Sequence, residues 1–143
     1  MGVLTDFIVA DESDAKRLGD QREAFDGLDA KGIEQVRMGT LYSLLTKTER
    51  DPSFLLSNES FAYTASDEGP WVQTIPDDMV QHLAKMSPPD VQRIGDAWFQ
   101  TEEFDPKYSR WSRDDVTEFL VGIQQLAIRA KNDGKRLFMW TCL

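Results

Sequence analysis

The run SRDDVTEFLVGIQQLAIRAKNDGKRLFMWTCL, residues 112–143, decides the fold class. Ser112 is a natural helix N-cap, since its hydroxyl can accept from an otherwise unpaired amide of the first turn. Val116, Phe119, Leu120, Ile123, Leu126, Ala127 and Ala130 then recur at helical spacing, laying one apolar face along the helix. Asn132-Asp133-Gly134 supplies residues that tolerate left-handed backbone and stops it. Leu137–Cys142 is apolar except for Thr141, the pattern of a strand covered on both faces. As an exposed edge such a strand would recruit other chains. It is therefore expected inside a sheet, next to a second apolar strand, in preference to an interface between copies of a homo-oligomer.

That second strand is Leu4–Ala10, where Phe7, Ile8 and Val9 are β-formers ahead of Asp11, a potential N-cap. The short helix after it has only a thin stripe (Ala15, Leu18, Arg22, Phe25), and Gly19 weakens it; it should be largely exposed. Asp26-Gly27 is a turn. Asp29 or Gly32 opens a stronger helix, with Ile33, Val36, Thr40, Leu41, Leu44 and Leu45 inward, ending before Asp51-Pro52. From Phe54 the pattern changes to a period of two. Phe61 and Tyr63, then Trp71, Gln73 and Ile75, flank Ser66–Pro70 as a hairpin with a longer loop.

Two helices follow. Met79, Val80, Leu83 and Met86 line the first, and Val91, Ile94, Gly95 and Trp98 the second, separated by Ser87-Pro88-Pro89-Asp90. Lys107–Arg113 is a loop. The order defines one α+β domain over residues 1–143, with about five helices and a small mixed sheet made of the N-terminal strand, the hairpin and the C-terminal strand.

Composition bounds the function. With 41% hydrophobic and 29% charged residues the chain is an ordinary globular one. Cys142 is the only cysteine, so no disulfide closes within the chain. No leader-like segment and no membrane-length apolar run is visible, and a reducing cytoplasm is the expected compartment. The net charge is −9, with the acid excess in the first half. No basic stripe offers itself to a nucleic acid or an anionic membrane. A basic protein partner fits that charge.

Motifs for chemistry are sparse. His82, the sole histidine, follows Asp78 by four residues, so a helix would bring both to one side, where the pair could move a proton. A metal site normally needs three or four ligands, and there is no HExxH or CxxC; no metal and no cofactor is expected. Cys142 lacks a cationic neighbour fixed by the pattern and reads as inert packing. No phosphate-binding glycine loop occurs, and Glu102, Glu103 and Asp105 lack the frame of a calcium loop. The loop carrying Tyr108, Arg110, Trp111 and Arg113 holds the residue types that dominate interface hot spots. Two functions from different classes follow. One is a non-enzymatic binding or regulatory protein using that loop and neutralising a basic partner. The other is a small-molecule enzyme or carrier with a pocket near the hairpin, involving Asp78, His82, Tyr63 and Trp71.

The stretch Met38-Gly39-Thr40-Leu41-Tyr42-Ser43-Leu44-Leu45-Thr46 resembles the helix ending in Leu-Leu-Thr of the uncharacterised bacterial YfbM-like family. The C-terminal helix, glycine turn and short apolar strand are similar to it as well. The chain departs from that pattern at Met38, Gly39 and Tyr42, where the family has Trp and His, and at Lys47, where it has Gly. The resemblance implies no activity and carries over no functional residue.

Overall fold

The computed structural model describes residues 4–47, 61–66 and 69–142. The expectations at Asp51-Pro52, Phe54, Asp67 and Glu68 lie outside them. The C-terminal strand, β5 (Arg136–Cys142), is the middle of a five-stranded sheet. It pairs along its whole length with β1 (Leu4–Ala10), from Leu4 opposite Cys142 to Ala10 opposite Arg136. On its other side runs β4 (Trp71–Thr74), hairpin partner of the edge strand β3 (Phe61–Thr64). A two-residue β2 (Leu28–Asp29) borders β1 and completes the order β2-β1-β5-β4-β3. Every pairing is antiparallel, not mixed as expected. An apolar strand covered on both faces looks the same in either direction, so its sequence carries no sign of strand polarity.

The sheet has two covered faces. Phe7, Leu137 and Met139 point into the larger core, under α2 (Gln35–Thr46), α3 (Asp77–Lys85), α4 (Pro88–Phe99) and α5 (Arg113–Asp133). Ile8, Ala10, Val72 and Phe138 point the other way, against Ala15 and Leu18 of α1 (Ala15–Asp20). The short first helix is therefore the cover of the second face, and Ala15, Leu18 and Gly19 are buried. Gly19 is a packing residue: a Cβ there would lie 2.4 Å from Cδ2 of Tyr63.

Caps fix the helix starts. Ser87 with Asp90, and Ser112 with Asp115, form reciprocal capping boxes at α4 and α5. Glu34 caps α2, accepting from the amides of Val36 and Arg37 at 3.1 Å each. Asp29 and Gly32 do not open that helix; they belong to β2 and to the turn after it. The buried face of α2 is Met38, Leu41, Tyr42 and Leu45, while Val36, Thr40 and Leu44 are half-buried. The inward stripe is thus rotated from the expected one, because Met38 and Tyr42 outweigh a threonine and a valine in apolar area. The helix ends at Lys47, which takes a left-handed φ of 56°. The inward residues named for α3 and α4 are all buried, as are those of α5 except half-buried Leu126.

Candidate partner-binding face

The loop between α4 and α5 is ordered by its own polar groups. The carbonyl of Asp105 accepts from the amides of Tyr108 (2.8 Å) and Ser109 (3.0 Å), and its carboxylate accepts from Lys107 N at 2.9 Å. Ser109 Oγ accepts from Trp111 N at 3.1 Å. Upstream, Phe104 turns inward and packs edge-on against Trp98, with ring centroids 5.1 Å apart. The loop is thus pinned at both ends and projects Tyr108, whose exposure is 77%.

Trp111 is half-buried and faces two ways. Its ring meets Phe119 edge-on at 6.0 Å and Phe104 at 6.4 Å, so it closes one end of the large core. Its indole Nε1 donates to the carbonyl of Lys31 at 3.1 Å. Lys31 sits at the tip of a turn closed by Ile33 N donating to Ala30 O at 2.9 Å. Gly32 in that turn has φ +93°, and a Cβ there would sit 3.4 Å from the indole nitrogen. The turn and the loop therefore meet at Trp111 and form one surface.

A cleft of about 400 Å³ opens there, lined by Lys31, Arg37, Tyr108, Arg110 and Trp111 among others. A second concavity of about 380 Å³, sharing Lys31, Arg110 and Trp111, adds Asp29 and Asp115. Arg37 lines the first of the two. Its guanidinium donates to the Gly32 carbonyl and twice to the Glu103 carbonyl (3.2 and 2.6 Å), and it lies 5.2 Å from the Phe104 ring centroid. All of these partners are neutral. Elsewhere Arg17, Arg22, Arg93, Arg113 and Arg136 each sit within ion-pair distance of a carboxylate. Among the described residues no ion pair answers Arg37, Arg110 or Lys31, and all three line this cleft.

Of the four loop residues named from sequence, three come together. Arg113 turns away, pairs with Asp96 at 3.4 Å and lies over the Phe99 ring. Lys31 and Arg37 were missed; an isolated lysine in a turn and an arginine on a helix carry no pattern that links them to a loop some seventy residues on.

Asp78 and His82 do not form a pair. Asp78 accepts from the hydroxyl of Tyr42 in α2 through one oxygen and from Met79 N in its own helix through the other. His82 is exposed, in a depression of about 120 Å³ beside Lys85, Asp90 and Arg93. Asp90 is held below the usual carboxylate range, chiefly by the Ser87 amide it accepts from. Tyr63 lies on the α1 side and donates to Asp20 at 2.9 Å, a bond that raises its pKa. By register Trp71 stands opposite Thr141 and Tyr63 opposite Val72, which puts the two aromatics on opposite faces. The described residues that line the depression at His82 include none from the hairpin.

Glu103 accepts from Thr40 Oγ1 (2.6 Å) and Thr101 Oγ1 (3.2 Å), a tie between helices. Among the described residues no group of three or more His, Cys, Asp or Glu is placed to hold a metal, and no helix is long and apolar enough to cross a membrane. Compared with family models, curated proteins and solved structures, the chain matches none.

Proposed function

We propose that this chain is a non-enzymatic protein-binding protein whose partner docks on the surface around Trp111. The observation that carries the reading is the combination of a protruding, exposed Tyr108 with a cleft floored by a half-buried Trp111. Aromatic anchors beside pre-formed concavities concentrate binding energy, because they bury large apolar area at small entropic cost. The pinned loop and the turn at Lys31 lower that cost further, since neither needs ordering on contact. The basic partner suggested by net charge gains less support. Glu34, Asp90 and Asp115 serve helix starts, and Asp6, Asp77 and Asp96 pair with arginines, so these six of the 25 acids have a structural use.

The test is a photo-crosslinking amino acid at position 108, compared with the same group at exposed Arg129 on α5. A discrete crosslinked protein from position 108 alone, lost in Trp111→Ala with the fold retained, is the expected result. Equal labelling from both positions would remove the reading.

A further inference from the structure

We propose that the Trp111 cleft recognises carboxylates, so that the partner presents an acidic segment to it. The inference rests on the reading of this face as a protein-binding surface and adds the chemistry of what it binds. Three cations, Lys31, Arg37 and Arg110, line the cleft, and none has a carboxylate partner among the described residues. Arg37 is the telling member. A partly buried guanidinium is costly to desolvate unless a counter-charge answers it. Among the described residues its partners are the carbonyls of Gly32 and Glu103 and the face of Phe104, which orient the group and leave its charge whole. The other described arginines that are held in place each reach a carboxylate, Arg22 the Phe25 carbonyl as well, whereas Arg37 is held without one, which fits an anion supplied from outside.

The geometry suits a peptide. Exposed Arg110 can form a two-pronged bond to a carboxylate, and Lys31 adds a point charge at the opposite turn. Tyr108 and Trp111 between them offer apolar faces to a neighbouring side chain. A long polyanion is a poor fit, because a net charge of −9 repels it as a whole. A short acidic segment seated in the cleft meets Lys31, Arg37 and Arg110, with Asp29 and Asp115 confined to the lining of the adjoining concavity, while charges more distant than about 8 Å are screened at physiological salt.

The experiment titrates the ¹⁵N-labelled protein with a short capped peptide of Glu, Leu and Gly, and with the same peptide carrying Gln for Glu. The Trp111 indole N–H and the amides of Gly32 and Arg110 are the reporters. The Glu peptide should shift them, the Gln peptide should not, and added NaCl should reverse the shifts. Arg110→Glu and Lys31→Glu should each weaken binding by about tenfold or more, as reversal of an interfacial charge does. Both side chains are exposed, and Lys31 holds Trp111 through its carbonyl, so the variants should keep the native spectrum elsewhere. Equal shifts from both peptides would overturn carboxylate recognition and leave the protein-binding face standing. Shifts from inorganic phosphate alone, as large as from the Glu peptide, would overturn the choice of an acidic protein segment. No shift at all would overturn the inference, while crosslinking at position 108 judges the face independently.

Discussion

Phe119→Ala tests the packing that supports the whole face. Phe119 is 4% exposed and touches three other rings: Phe7 at 5.4 Å, Trp98 at 5.9 Å and Trp111 at 6.0 Å. Burying a phenylalanine ring stabilises by about 2–3 kcal/mol. A residual hole of roughly 60–80 Å³ would add about 1.5–2 kcal/mol at about 24 cal/mol per Å³. The sum is about 4 kcal/mol, a large part of the 5–15 kcal/mol typical of a domain's stability. The walls decide how much of the hole survives. Phe7 sits in a strand paired on both sides and Trp98 is fully buried, so neither can move far. Trp111 is the wall with freedom, and its inward collapse would break the bond to Lys31. Urea unfolding should show a midpoint lowered at unchanged slope, equivalent to about 3–5 kcal/mol. The Trp111 indole signal should shift in the folded variant. A loss under about 1 kcal/mol, where large-to-small core changes of this kind cost about 3–5, would refute the placement of Phe119 at the core's centre.

Three other perturbations have definite expected outcomes. Lys47→Gly should stabilise by about 0.5–1 kcal/mol, because a left-handed helix end strains a residue with a Cβ; an unchanged or lowered melting midpoint would contradict the φ of 56°. Gly19→Ala should destabilise by about 1–3 kcal/mol through overpacking against Tyr63, despite alanine's better helix propensity, and the loss should vanish in a Tyr63→Ala background. Asp90 has its pKa lowered in the folded state, so its contribution is present above the ordinary aspartate range and is lost as pH falls from that range through the lowered folded value. Asp90→Asn should therefore be less stable than the parent at neutral pH, with the gap closing in acid; a gap that persists at low pH would show that the charge is not what matters.

The sequence discloses the frame of this fold and conceals its joins. The α5 stripe and the apolar run after Gly134 announce a helix feeding a central strand, and β1 follows as its partner because both runs lack a polar face. The capping boxes at Ser87 and Ser112 are local, so they are readable. What fails is anything decided by distant contact. Gly19 reads as a helix weakness until Tyr63 is seen against it, and the two-residue β2 is too short to have a period. The candidate site divides in the same way. Tyr108, Arg110 and Trp111 stand out in one loop by residue type. Lys31 and Arg37 join them only through the indole–carbonyl bond and the tie to Glu103, which no spacing rule connects.

The position of β5 has a consequence for how the chain reaches this state. The sheet's central ladder joins the earliest described strand to the latest, and within the sheet the hairpin β3–β4 is joined to β1 through β5. A nascent chain that has not yet emerged past Arg136 holds two separated fragments of sheet, each lacking its middle. Helices α2 to α5 can form early from local contacts, but the surface they are meant to cover is not there. Sheet assembly is then a late, long-range event, of the kind that slows folding because loop-closure entropy must be lost before the contacts form. During synthesis the apolar residues of β1 and the facing stripe of α5 lack their full cover until β5 has been made.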